Sequence, residues 1–115
     1  LIGFVVVEDL ESIGPLFDIR LANGARGKGL GTETVRGLVR HLFRECPNIV
    51  RIEGQTRDDN VAMRKTFLRS GFVKEAHYRK AWPTAEGELR DSVAYGLLRS
   101  DFETGQTTPL VWGEL

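Results

Sequence analysis

Ala25-Arg26-Gly27-Lys28-Gly29-Leu30-Gly31-Thr32 lies between a strand-like run and a long amphipathic helix, and its reading decides how the rest of the chain is understood. Glycines at alternate positions let the backbone turn tightly and expose its N–H groups. The helix that opens behind them adds unpaired N–H groups and the positive end of its dipole. A corner of this kind is a ready seat for a phosphate or pyrophosphate, and Arg26 and Lys28 bring cationic charge beside it. The plainer alternative is a glycine turn that only caps the helix. The alternation, the two cations and the helix start together favour a phosphorylated ligand. Two familiar phosphate loops fit poorly. A P-loop requires Ser or Thr after its lysine, and Gly29 follows Lys28. A dinucleotide fingerprint requires Gly or Ala where Thr32 stands.

Upstream of this stretch, residues 1–8 read as a strand, continuous, apolar and rich in valine. Glu8 to Pro15 reads as a turn region, and Leu16 to Ala22 as a second strand closed by Asn23-Gly24, so the two strands suit an antiparallel hairpin. Downstream, Val35, Leu38, Val39, Leu42, Phe43 and Cys46 follow helical spacing, with Glu33, Arg36, Arg40 and Arg44 opposite and Pro47 as a stop. Ile49 to Thr56 reads as a third strand, with Val50, Ile52 and Gly54 on one face and Arg51, Glu53 and Gln55 on the other. Asp58-Asp59-Asn60 offers caps for a second helix over 61–70, ended by Gly71. Phe72 to Trp82 and Leu89 to Leu98 form a second hairpin around a turn-rich connection. The tail after Ser100 is less regular, with Phe102, Leu110, Val111 and Trp112 expected to dock on the body. The order β-β-α-β-α-β-β is α+β, or mixed α/β, rather than a doubly wound sheet, because strands at both ends pair as hairpins.

With 115 residues the chain is read as one domain, 1–115, and its apolar share of 41% suits a globular protein. Formal net charge is zero, which supplies no electrostatic reason to expect nucleic acid or a membrane surface as partner. No run approaches the roughly 20 apolar residues of a membrane span, and no signal peptide is visible, so a cytoplasmic location is expected. The single cysteine, Cys46, falls in the apolar stripe of the first helix and reads as a buried thiol rather than a nucleophile. Two histidines and one cysteine, widely separated, make no zinc pattern, and no metal is expected. The chain opens on Leu1-Ile2-Gly3-Phe4-Val5, the middle of a buried-looking strand, so a truncated or incompletely represented protein is expected.

Arg26, Gly29 and Gly31 make Arg-x-x-Gly-x-Gly, which resembles the coenzyme A pyrophosphate loop of the GCN5-related N-acetyltransferases. Asn60, Phe67 and Gly71-Phe72 resemble the family's next landmark, and Arg79, Gly87-Glu88-Leu89-Arg90-Asp91 and Tyr95-Gly96-Leu97-Leu98 resemble its ribosomal-protein alanine acetyltransferase branch. The resemblance covers nearly the whole chain and implies the C-terminal part of that fold, with a mixed sheet splayed at the coenzyme site. The resemblance implies that the family begins earlier, with a strand, one or two helices and another strand before anything like Leu1. They normally supply part of the sheet and of the acceptor pocket, so completion by a partner chain, including a homodimer, is also expected.

What the resemblance implies is an N-acetyltransferase that moves acetyl from acetyl-CoA directly to a primary amine, on a protein N-terminus or a small molecule. A non-catalytic acyl-CoA-binding or scaffold domain of the same fold is the competing reading. The N–H groups of Gly27, Lys28, Gly29, Leu30, Gly31 and Thr32 would hold the pyrophosphate, with Arg26 and Lys28 helping. Backbone groups of Ile19 and Leu21 would bond the pantetheine arm, and an N–H near Leu21 would face the thioester oxygen, where one donor is typically worth about 3 kcal/mol. Asn60 would bond the coenzyme, or simply cap its helix. Phe67 stands where many members carry a tyrosine that protonates the departing thiolate, and has no proton to give. Glu53, Asp18 and His77 are candidate bases for the amine, each with a plain strand-face alternative. Trp82, Glu86, Glu88 and Asp91 surround the second hairpin's turn, where the family borders its acceptor.

Overall fold

The computed structural model describes residues 3–8, 16–21 and 30–115, with side chains from Gly31 onward. The elements run β1 (Gly3–Glu8), β2 (Leu16–Leu21), α1 (Leu30–Glu45), β3 (Arg51–Arg57), α2 (Val61–Arg69), β4 (Val73–Pro83), β5 (Leu89–Leu98) and α3 (Arg99–Thr104). The five strands form one mixed sheet in the order β1-β2-β3-β5-β4. The hairpin of β1 and β2 is antiparallel, from Gly3 opposite Leu21 to Glu8 opposite Leu16. A crossover through α1 then brings β3 in parallel to β2, as a βαβ connection requires.

The core lies on one face of this sheet. Val35, Val39, Leu42 and Phe43 of α1 and Phe67 of α2 pack on Ile52 of β3 and on Val93, Tyr95 and Leu97 of β5. The 3.6-residue period of the first helix and the two-residue period of the strands thus converge on one buried layer. Phe67 is 1% exposed, its ring stacked on Tyr95 at 4.9 Å and tilted against Phe72 at 5.2 Å. Cys46 follows α1 and packs partly buried against the same cluster.

Three features depart from the sequence reading. The third strand begins at Arg51 rather than Ile49: Ile49 is buried, Val50 is 49% exposed, and the pairing with β5 starts at Arg51 opposite Leu98. The cause is Arg99, whose backbone N–H donates to Val50 O and whose guanidinium donates to Ile49 O, Phe43 O and Cys46 O. It gathers the carbonyls where α1 ends, stacks over the Phe43 ring, and holds the connection out of the sheet. Next, the tail carries a short helix, α3, whose Phe102 packs at 5.1 Å from Phe43. Beyond it, the docking expected of Val111 and Trp112 does not occur: they are 83% and 67% exposed.

Candidate active site

The strands that frame the site part company early. β2 pairs with β3 at Leu16–Glu53 and Phe17–Gly54 and, among the described residues, nowhere beyond. Asp18, Ile19, Arg20 and Leu21 stay paired with β1, while Gln55, Thr56 and Arg57 stay paired with β5. Past Phe17 the two inner edges therefore face a gap, each with a row of backbone donors and acceptors that has no ladder partner on that side among the described residues. Ile19 and Leu21 lie on this free edge, and Asp18 is its first residue. At the far end of the connection α1 opens at Leu30, with Gly31 and Thr32 in its first turn, where helical N–H groups lack intrahelical partners. Arg26, Gly27, Lys28 and Gly29 lie outside the described residues.

Glu53 sits where the parting begins, as the partner of Leu16. The alternation of β3 turns Ile52, Gly54 and Thr56 toward the helices and leaves Arg51, Glu53, Gln55 and Arg57 on the opposite, half-buried face. There Arg51 donates from both terminal nitrogens to Glu53 Oε1 at 3.2 Å, and Gln55 Nε2 donates to Glu53 Oε2 at 2.9 Å. Arg51 also donates to Glu75 Oε1 at 2.6 Å, and Ser92 Oγ donates to Gln55 Oε1. Glu75 reaches this face because β4 shifts register between Lys74 and Ala76. Its carboxylate occupies the space that a side chain at Gly96 would fill, 2.5–2.6 Å from the position of a Cβ. The candidate base is thus one member of a network with two carboxylates, one guanidinium and one amide.

The turn from β3 into α2 is fixed by charge. Arg57 donates to both carboxylate oxygens of Asp59 at 2.6 and 2.8 Å, and this bond holds the Asp59 carboxyl below its ordinary range. Arg90 donates to both oxygens of Asp58. Asn60 follows, and its Oδ1 accepts from Met63 N at 3.1 Å, so its carbonyl is engaged as the α2 cap. Phe67, four residues before Gly71, gives its ring to the core.

The other candidate base, His77, lies on β4, with its Nε2 2.8 Å from Asp91 Oδ2. Asp91 also accepts from Lys80 N at 2.8 Å, inside a bulge where Tyr78 to Trp82 spans Ser92 to Arg90 and Lys80 takes a φ of 53°. His77 and Glu53 are held in separate hydrogen-bonded groups. Glu88 approaches Arg90 at 3.8 Å on the same hairpin. Among the described residues, no three His, Cys, Asp or Glu side chains converge as metal ligands would.

Arg51 and Glu75 were not among the residues singled out from the sequence. Arg51 was legible in principle, since it alternates with Glu53 along β3. Glu75 was not, because a bulge breaks the two-residue period that assigns a strand residue to a face.

A family model described as an acetyltransferase (GNAT) domain matches residues 1–73, the stretch that holds β1, β2, α1, β3 and α2. The chain belongs to the GNAT acetyltransferase family. Solved structures agree in fold with this GNAT chain. The dodecameric spermidine N-acetyltransferase from Vibrio cholerae superposes with a TM-score of 0.76 at 22% identity, over 89% of this chain and 60% of that one. The ribosomal-protein-S5-alanine acetyltransferase from Vibrio fischeri superposes with a TM-score of 0.78 at 22% identity, over 87% and 55%. The microcin C7 self immunity acetyltransferase MccE, in complex with acetyl-CoA and AMP, superposes with a TM-score of 0.73 at 24% identity, over 85% and 54%. The chain thus spans little more than half the length of each of these structures.

Proposed function

We propose that the chain is the acetyl-CoA-binding part of an N-acetyltransferase that moves acetyl directly from the thioester to a primary amine. The observation that carries this is the parting of β2 from β3 after Phe17–Gly54, in a chain of the GNAT family. A bare strand edge is where an amide-bearing arm can add as a further strand, with main-chain hydrogen bonds supplying affinity. The amides of the pantetheine arm suit the edge from Asp18 to Leu21. Its pyrophosphate suits the head of α1 from Leu30 to Thr32, by helical N–H groups, and in sequence the cations Arg26 and Lys28 come just before it. When bound, acetyl-CoA supplies an activated acyl carbon. The chain's share is to hold that carbon still, to offer a backbone N–H near Leu21 to the developing oxyanion, and to take a proton from the amine.

Glu53 is the carboxylate we assign to that proton, directly or through water, because it stands at the mouth of the gap. Asp18, on the opposite edge, is the next candidate. The MccE structure holds acetyl-CoA, and the relatives' acceptors include spermidine and a ribosomal-protein alanine. These support an amine-bearing acceptor of protein or small-molecule kind for this chain, and they support a self-associated assembly, the spermidine enzyme being dodecameric.

A second reading, a binding domain without turnover, is favoured by two observations. Phe67 has no acidic hydroxyl, and both oxygens of Glu53 already accept from Arg51 and Gln55. Calorimetry with acetyl-CoA on the whole protein tests what the two readings share. Gly29→Glu should abolish binding while the fold persists, and unchanged affinity would sink both. Turnover then separates them. Glu53→Gln should bind acetyl-CoA normally, lower kcat/KM and remove the acidic limb of its pH profile. Normal binding with no acetylation of any amine by the unmodified protein would leave the second reading.

A further inference from the structure

We propose that the groove beside α2 is a docking site for an acidic amphipathic helix of a partner protein. This site is independent of acetyl transfer and lies elsewhere in the molecule. The gap proposed for the coenzyme opens between β2 and β3, whereas the groove lies between α2 and the β5–β4 pair at the other side of the sheet.

The groove is built by one face of α2. From Val61 to Arg69 this helix carries three cations and no acid, and it buries Thr66 and Phe67. Val61, Arg64, Lys65 and Leu68 take another side, at the i, i+3, i+4, i+7 spacing of a single helix face. With Lys74 and Tyr95 they line an open depression of about 270 Å³. Its floor is apolar: Val61 and Leu68 are 55% and 57% exposed, and the buried ring of Tyr95 closes the bottom. Exposed aliphatic residues gathered in one place and rimmed by polar ones mark an interaction site rather than scattered surface residues.

The rim fixes the sign of the partner. Arg64 is committed, its Nε donating to Tyr95 Oη at 3.0 Å and a terminal nitrogen to Asp58 O at 2.9 Å. Lys65 and Lys74, one on each wall, make no ion pair among the described residues. No acidic side chain lines the groove. Formal net charge over the chain is zero, so this rim is a local segregation of charge and calls for an anionic occupant.

The floor fixes its kind. Val61 and Leu68 stand about 10 Å apart along α2 at 1.5 Å per residue. A partner helix laid along α2 has the same rise, so two of its apolar residues seven apart seat on this pair and one between them meets Tyr95. Acidic residues flanking that stripe then reach Lys65 on one wall and Lys74 on the other. A single-stranded nucleic acid fits poorly, because the floor offers phosphate nothing and Tyr95, stacked on Phe67 at 4.9 Å and 2% exposed, presents no face to a base. An anionic bilayer fits poorly, because the aliphatic side chains line a depression and form no protruding apolar stripe. A small ligand would find an open site below the usual pocket range of about 300–1,000 Å³, with two ammonium groups and no convergent polar set.

Panning a display library of random peptides of roughly 16 residues, about four helical turns, on the whole protein tests this. Fluorescence anisotropy then measures the enriched peptides. They should carry apolar residues at i, i+3 or i+4, and i+7, with Asp or Glu on the flanks. Leu68→Glu, at an exposed position, should weaken their binding by roughly thirtyfold or more with the melting temperature unchanged. Lys65→Glu and Lys74→Glu should each weaken it a few-fold, and raised salt should do the same. Peptides with Lys in place of their acids should bind the double lysine variant in preference to the unmodified protein. Saturating acetyl-CoA should leave the affinity unchanged. No enrichment overturns the proposal, as do enriched peptides without acids or without helical spacing, and binding indifferent to Leu68→Glu and to both lysine variants. Competition by acetyl-CoA also overturns it, and would give the rim to the coenzyme. So does binding of polyuridylate or of phosphatidylserine vesicles, in place of peptide, that the lysine variants abolish.

Discussion

Glu53 shows how much a single strand residue depends on neighbours from other elements. Its carboxylate is held by Arg51 and Gln55, from its own strand, and Arg51 is in turn held by Glu75 across the sheet. Glu75 fits only because Gly96 leaves room for its carboxylate. A methyl group at Gly96 would push that flexible side chain aside rather than the backbone, so Gly96→Ala should fold. It should cost about 1 kcal/mol by releasing the Arg51–Glu75 pair, a partly exposed one. In a Glu75→Ala background the same substitution should cost almost nothing. Urea denaturation of the four proteins of this double-mutant cycle checks it, and additive costs would refute the coupling.

At the scale of the elements, the hairpin of β4 and β5 carries a titration with a defined direction. Asp91 lies below the ordinary carboxylate value of 3.8, first because Lys80 N–H donates to it and then because His77 does. A carboxylate with a lowered folded value stabilises the fold above its unfolded value, and that contribution disappears as pH falls through the folded value. The bulge around Lys80 should therefore loosen only in acid, below about pH 4. Asp91→Asn should flatten the acid side of the melting-temperature profile in that window while leaving the neutral region sloped as before. An unchanged acid slope would mean that other carboxylates set it.

The same elements show what could be read from residues alone. The hairpins, α1, α2 with its Asn60 cap and Gly71 terminator, and β5 from Leu89 to Leu98 were all legible, because periodicity and caps are local signals. The start of β3 was not, since Arg99 reaches back from β5's end to hold Ile49 and Val50 out of the sheet. Neither was Glu75's face, which a bulge decides. Of the candidate site, the position of Glu53 was legible from alternation along β3. Its partner Glu75, distant in sequence, was not. The tail after Thr108 misled because hydrophobicity alone does not say that a segment docks: Val111 and Trp112 are exposed.

For the whole molecule, the gap between β2 and β3 has a consequence for how the sheet comes apart. β3 and β5 are laddered along the full length of β3, while β2 meets β3 only at Leu16–Glu53 and Phe17–Gly54. The β1–β2 hairpin and the block of β3, β5, β4 and their helices should therefore open as separate cooperative units, the hairpin at lower free energy. In native-state amide exchange, Val93 to Leu97 should be protected to near the global limit. The amides of Asp18 to Leu21 that face the gap should exchange far sooner. Acetyl-CoA laid along that edge would supply the missing rungs, so its binding should slow those amides selectively and couple the two units into one transition. The gap proposed to take the coenzyme is in this sense also the weakest seam among the described strands, and occupancy rather than sequence would set how firmly the two units hold together.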